Sequence, residues 1–160
     1  MAPQRFTDNQ DGTITDAETG LTWTKEDSWQ VDRQWLSWDE AETYVDTLRN
    51  MSFAKTQDWR LPTRTEISSL YDPDKNNKDK YGKEIHLDPI FPEGPLAKDW
   101  TFDYTGNEAY IIDFSTGEVE PLYKSKAARM AVRAVRSAGP KTTEEQGKDP
   151  FNEDRFLTSR

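Results

Sequence analysis

The chain has 160 residues, which is enough for one domain with a hydrophobic core. Only 33% of the residues are hydrophobic, and the formal net charge of -9 disfavours nucleic-acid binding, because an acidic surface repels phosphate backbones. The chain has no cysteine, which excludes disulfides, thiolate nucleophiles and cysteine-ligated zinc.

The first segment, residues 5–23, reads as short strands separated by two tight turns, "NQDG" and "AETG". Four apolar residues are spaced to face one side of these strands: Phe6, Ile14, Leu21 and Trp23. Asp8, Asn9 and Asp11 could supply oxygen ligands to calcium, but Gly12 stands in the wrong place for an EF-hand loop. We therefore interpret these residues as turn formers.

Residues 24–36 are predicted to form a connecting loop that carries Trp29 and Trp35. Two tryptophans in a charged loop can stack on a sugar or on a partner protein, or they can fold back into the core. The core role is the more general one, since tryptophan is highly buried on average. Both residues remain candidates for partner binding.

The clearest helix begins at Ser37 and continues to Asn50. Ser37 and Glu40 have the spacing of a capping box. Five apolar or aromatic residues fall on one face of this helix: Trp38, Ala41, Tyr44, Val45 and Leu48. That face predicts packing of the helix against a core.

The motif "WRLPTRTEI" is the most specific stretch of the chain. We expect Trp59 and Leu61 to pack inward and Arg60 to satisfy buried carbonyl groups. Thr63 and Glu66 repeat the capping-box spacing and predict a second, shorter helix that reaches to about residue 71.

The polar segment "DPDKNNKDKYGKE" follows, with Asp72, Asp74 and Asn76 at the 1, 3, 5 spacing of a calcium loop. Asn77 and Lys83 occupy the positions where such a loop needs Gly and Glu, and nearby lysines oppose a cation. The segment is therefore predicted to be a solvated insertion, with no metal site.

The lone histidine, His86, has no second ligand at metal-binding spacing, so a surface or packing role is expected. Farther along, "AYIIDFSTGEV" predicts a hairpin whose return strand begins at Val119. In the closing strand, two sets of residues alternate: Met130, Val132 and Ala134 against Ala131, Arg133 and Val135.

Residues 138–160 have the composition of a linker, with three isolated apolar residues: Phe151, Phe156 and Leu157. The hypothesis is that this tail serves partner binding rather than domain stability. An ordinary flexible terminus is the alternative.

Taken in order, "DNQDGTITDAETGLTW", "DWRLPTRTEI" and "AYIIDFSTGEV" with "MAVRAVR" resemble the Lcl C-terminal domain family. The likeness covers about residues 5–136 and places the domain at 1–137. It implies an α+β, C-type-lectin-like fold, with two helices packed on small twisted antiparallel sheets, long loops, and neighbouring first and last strands. Many relatives carry a cysteine pair at positions that appear here as Val45 and Ala134, so an apolar contact is expected to replace the disulfide.

The family is a module of bacterial surface and periplasmic proteins and is known mostly for binding, so the resemblance implies a periplasmic or extracellular location. The start "MAPQRF" lacks the apolar core of a signal peptide, which fits a cytosolic protein or a mature chain with an added Met. Without cysteines, the cytoplasm is also compatible. No run of about 18 apolar residues exists, so no membrane-spanning segment is expected.

We therefore expect a non-enzymatic module that binds a protein partner, as an accessory subunit of a larger bacterial complex. The candidate partner-binding residues are Trp29, Trp35, Phe151, Phe156 and Leu157. A carbohydrate-binding adhesion domain that uses the loop tryptophans is the alternative, although calcium-dependent lectin motifs such as E-P-N are missing. The sequence predicts no catalytic residues, metal or cofactor.

Overall fold

The computed structural model describes residues 4–137. This part of the chain forms ten short strands, three α-helices and one 3-10 turn in the order β1 (Phe6–Asp8), β2 (Thr13–Asp16), β3 (Leu21–Thr24), α1 (Ser28–Asp32), α2 (Trp38–Asn50), the 3-10 turn (Phe53–Lys55), α3 (Arg64–Ser68), β4 (Asn77–Lys78), β5 (Glu84–Ile85), β6 (Lys98–Thr105), β7 (Glu108–Asp113), β8 (Val119–Tyr123), β9 (Met130–Ala131) and β10 (Val135–Ser137). The mixture of helices and largely antiparallel sheets confirms the α+β class.

Two four-stranded sheets organise the domain. The first has the order β1-β2-β3-β10 and is antiparallel throughout, so the first and last strands share a sheet as its two edges. The second has the order β8-β7-β6-β9. In the second sheet β9 runs parallel to β6, which departs from the purely antiparallel arrangement that was expected.

The predicted capping boxes begin both expected helices. Ser37 caps α2, and the carboxylate of its partner Glu40 accepts a hydrogen bond from the Ser37 amide, at 2.8 Å. Thr63 and Glu66 do the same for α3. The helix α3 ends at Ser68, three residues before the predicted end at about residue 71. After Ser68 the backbone hydrogen bonds join residues three apart, as in a 3-10 turn.

The loop predicted for residues 24–36 is wrong in part, since it contains the short helix α1. Asp27 caps this helix and Gln30 completes a third capping box. The signal was present in the sequence as "DSWQ", because Asp is a good N-cap and Gln three residues later can return the hydrogen bond.

The closing segment crosses from one sheet to the other. Its first part, β9, pairs with β6, and its last part, β10, pairs with β3. Every residue from 130 to 135 is buried, including Arg133. The alternation seen in the sequence therefore does not divide an inner from an outer face, because both sides of this segment are covered.

Two clusters of buried side chains form the core. One joins α2 to the second sheet and includes both Val45 and Ala134, the positions expected to make an apolar contact in place of a disulfide. The other packs the first sheet against α3 and Ile85. Val45 and Ala134 are each fully buried.

The motif around Trp59 is part of this architecture. The Trp59 indole is buried and donates to the Phe53 carbonyl at 3.0 Å. Arg60 does not satisfy buried carbonyls as predicted; its guanidinium forms two 2.7 Å hydrogen bonds with the Glu66 carboxylate. Another arginine, Arg49, donates a hydrogen bond to a carbonyl of this motif, the backbone oxygen of Trp59, at 2.6 Å.

Candidate functional site

A groove of about 1070 Å³ lies between the β1–β2 turn, the α1 segment (our name for residues 24–36) and α2. Its lining includes buried Leu36 and Leu48 together with two apolar side chains that face solvent, Val31 at 53% and Met51 at 60% exposed. Exposed apolar side chains that continue into a concave apolar surface are typical of binding sites.

The same lining is strongly acidic. It contains one cation, Lys25, and five carboxylates: Asp8, Asp11, Glu26, Asp32 and Glu40. Lys25 is paired with Asp8 at 2.7 Å. Within residues 4–137, the carboxylates of Glu26 and Asp32 make no hydrogen bond or ion pair. We call this surface the acidic groove. It is defined by the apolar residues Val31, Leu36, Leu48 and Met51 and by the five carboxylates named above.

Gly12 fixes one end of the acidic groove. Its φ of +90° is in the region that favours glycine, and an added Cβ would lie 3.0 Å from the Phe53 ring. The Gly12 carbonyl also accepts a hydrogen bond from the Lys25 amide, at 2.8 Å. The turn predicted from "NQDG" therefore lies against the 3-10 turn that follows α2.

Hydrogen bonds from the interior hold α1 in place. The Asp27 carboxylate accepts from the amides of Gln30, at 2.9 Å, and Leu96, at 2.8 Å. Ser28 exchanges two hydrogen bonds with Val132 of the closing segment. Val31 is thus presented to solvent from a helix whose first turn is anchored in the core.

Three buried ionisable residues, Asp27, Asp99 and Arg133, interact with one another in the interior. Arg133 donates to the carbonyls of Thr24, at 2.9 Å, and Lys25, at 2.6 Å. Burial raises the pKa of Asp27, while Arg133 and backbone amides oppose that rise. Burial and the neighbouring Asp27 raise the pKa of Asp99 to about 8, opposed by Arg133.

These shifts predict the pH dependence of stability. Because the pKa of Asp99 is higher in the folded than in the unfolded chain, the folded state keeps a proton that the unfolded state releases above about pH 4. Stability should then fall as the pH rises toward 8, by at most about 1.4 kcal/mol per unit from this group. Asp99→Asn should flatten this fall in urea unfolding measured at pH 5, 6, 7 and 8.

The matched control for Asp99→Asn is Glu118→Gln, which removes an exposed carboxyl from the turn before β8. The control should keep the wild-type slope between pH 5 and 8. Equal slopes for wild type and Asp99→Asn would show that Asp99 ionises in the folded state as it does in the unfolded chain.

The tryptophans selected from the sequence have different surroundings. Trp29 is half-buried, and its ring is covered by Lys80 and Arg33, whose charged atoms lie 5.2 and 6.0 Å from the ring centroid. Trp35 is 45% exposed and stands between two residues that line the acidic groove, Gln34 and Leu36. The predicted sites Phe151, Phe156 and Leu157 lie outside the described residues.

The polar segments considered as calcium loops use their carboxylates in turns. Asp72 accepts from the Asp74 amide at 2.9 Å, and Asp11 accepts from Thr13. The ring of His86 packs edge-on against Tyr71. Across residues 4–137, no three acidic or histidine side chains are grouped closely enough to hold a metal ion. No helix in the same range has the length and apolar character needed to cross a membrane.

The described residues thus define an α+β domain with a groove whose lining combines apolar side chains with an excess of carboxylates. The family model of the Lcl C-terminal domain matches residues 12–136, and the chain belongs to this family. No curated protein matches the chain.

Proposed function

We propose that this domain is a non-enzymatic binding module that recognises a protein partner through the acidic groove. The observation that carries the proposal is the continuity between exposed Val31 and Met51 and buried Leu36 and Leu48 in one concave surface. Interfaces bury such apolar side chains at their centre and leave charged groups at the rim. The domain would act as an accessory subunit of a larger bacterial complex, and the resemblance to bacterial surface and periplasmic modules favours a place in the periplasm or outside the cell.

We also infer a C-type-lectin-like architecture. Support comes from the sharing of one sheet by the first and last strands, and from α2 and α3, which pack against different parts of the core. The long connection between α3 and β6, which holds only the two-stranded β4–β5 sheet, also fits this type of fold.

Protein is a better ligand class than carbohydrate for this surface. Sugar binding by the loop tryptophans would need open ring faces, whereas the Trp29 ring is already covered by Lys80 and Arg33. Trp35 remains available for stacking but has no second open aromatic ring beside it in the α1 segment. We therefore assign Trp35 to the rim of the protein contact.

The tail, residues 138–160, is proposed as a second contact through Phe151, Phe156 and Leu157. Truncation after Gly139 should reduce partner binding and leave thermal stability nearly unchanged. Partner binding that survives truncation unchanged would exclude the tail without affecting the proposal for the acidic groove.

The groove itself is tested by the near-isosteric double variant Val31→Thr/Met51→Gln in the full chain. Both side chains are more than half exposed, so stability should change by no more than about 0.5 kcal/mol each. The partner is first identified by affinity purification from the native source, and its affinity is then measured by calorimetry. We expect the double variant to bind at least about tenfold more weakly.

The matched control is Phe102→Gln, which removes an equally exposed apolar side chain, 54% exposed, from β6 outside the groove lining. It should bind the partner with wild-type affinity. Wild-type affinity in the groove variant, or an equal loss in the Phe102 control, would refute the acidic groove as the binding surface.

A further inference from the structure

The charge of the acidic groove restricts the chemistry of its occupant. Five carboxylates and one lysine line it, and the lysine is already paired with Asp8. Glu26 and Asp32, on either side of the first turn of α1, are both exposed. An occupant that brought carboxylates would be repelled, whereas lysine or arginine would find two acceptors without partners in residues 4–137.

The groove lining also contains a hydroxyl group close to the acidic residues around α1, that of Tyr44 in α2. Burial, followed by the nearby carboxylates of Asp32 and Asp27, raises the pKa of the Tyr44 hydroxyl, and Arg133 opposes this rise. The carboxylates near α1 thus disfavour a further negative charge at this part of the lining.

The apolar part of the lining restricts the occupant further. Val31 and Met51 project beside the carboxylates, so a ligand that carried only charge would leave them exposed. The volume of about 1070 Å³ reaches the upper end of the range for small-molecule pockets, about 300–1,000 Å³, and suits a segment of several residues.

Building on the proposed function, we propose that the acidic groove docks a basic amphipathic segment of the partner protein. Lysine or arginine of that segment contacts Glu26 and Asp32, and its apolar residues cover Val31 and Met51. This is the groove mode of peptide recognition, with apolar anchors at regular spacing and charge at the rim.

Two other occupants are disfavoured by their charge. The chain's own tail, residues 138–160, carries five acidic and four basic residues, so it offers no net positive charge to the groove. A second copy of the chain carries the full net charge of -9 and would be repelled. The acidic groove therefore selects a partner of opposite charge.

The test uses three synthetic amphipathic helical peptides of equal length and the full-length protein. The first peptide has lysine on its polar face and leucine on its apolar face, the second has glutamate in place of lysine, and the third has serine in place of leucine. We expect the first to bind, with an affinity that falls as salt is added, and the other two to bind at least about tenfold more weakly.

The matched protein variants are Glu26→Gln/Asp32→Asn and, as the control, Glu118→Gln/Glu120→Gln, which changes the net charge equally at exposed positions outside the groove lining. The groove variant should bind the lysine peptide about fivefold to tenfold more weakly, and the control should bind it as wild type does. Equal binding by the two variants would overturn the proposal, because attraction to total charge alone would then explain it.

The native partner separates this proposal from the proposed function. If Val31→Thr/Met51→Gln loses partner binding and Glu26→Gln/Asp32→Asn does not, the acidic groove is still the binding surface. The proposal that its occupant is a basic segment is then refuted. Sedimentation that finds a dimer for the wild type and a monomer for Val31→Thr/Met51→Gln would identify a second copy as the occupant of the groove. This result would also refute the proposal of a basic segment. Loss of partner binding in both variants would support the proposal.

Discussion

Replacement of Arg133 by leucine is expected to lower the free energy of unfolding by about 3–5 kcal/mol, a large part of the 5–15 kcal/mol that typically stabilises a domain. Arg133 is 1% exposed, and its guanidinium is the cation that opposes the raised pKa values of Asp27 and Asp99. Leucine would leave two buried carboxyl groups without it. It would also remove the donor to the carbonyls of Thr24 and Lys25.

Urea unfolding at pH 7 measures this effect, with Lys126→Leu as the control that removes an exposed cation from the turn after β8. The control should change stability by no more than about 0.5 kcal/mol. Adding Asp99→Asn to the Arg133→Leu variant should restore part of the loss, because asparagine, unlike Asp99, takes up no proton when the chain folds at pH 7. A loss below about 1 kcal/mol for Arg133→Leu would show that the buried carboxyl groups do not depend on the arginine.

Replacement of Trp59 by alanine is expected to cost about 3–5 kcal/mol, as is typical for a large buried aromatic side chain. Trp59 is 1% exposed, packs against Phe53 with ring centroids 5.8 Å apart, and donates to the Phe53 carbonyl. Phe53 lines the acidic groove beside Gly12. The variant should therefore lose partner affinity as well as stability.

Trp35→Ala is the matched control for Trp59→Ala, because it removes the same side chain from a site that is 45% exposed. Its free energy of unfolding should stay within about 0.5 kcal/mol of wild type. Chemical unfolding should be monitored by circular dichroism, because both variants remove a tryptophan and would change the fluorescence signal. Similar losses for the two variants would contradict the assignment of the Trp59 motif to the core.

The helices and hairpins that could be predicted from the sequence are those with local signals. Capping boxes located the starts of α2 and α3, and the "STGE" turn placed the start of β8 at Val119. The helix α1 has the same kind of signal at Asp27 and Gln30, but five residues are too few to show an apolar period.

Other features could not be predicted because they depend on which groups meet in the folded chain. The closing segment looked like one strand, whereas it pairs with two different sheets, and this is why Arg133 is buried. Arg60 pairs with Glu66 because both residues lie at the entry to α3, a geometry that only the fold defines.

The acidic groove is also a product of the fold. Gly12, Val31 and Met51 stand about twenty residues apart along the chain and meet only when the β1–β2 turn, α1 and α2 are assembled. The sequence pointed instead to the two tryptophans of the loop predicted at residues 24–36 as binding residues. Trp35 adjoins the groove, whereas the Trp29 ring is covered by two cations.

The most direct test of the acidic groove as the partner-binding surface is amide chemical-shift mapping of the ¹⁵N-labelled full chain during titration with its purified native partner. We expect the largest shift changes at the amides of Gly12, Val31, Asp32 and Met51. Changes that are concentrated instead around Phe102 on β6, with these four amides unchanged, would contradict this assignment.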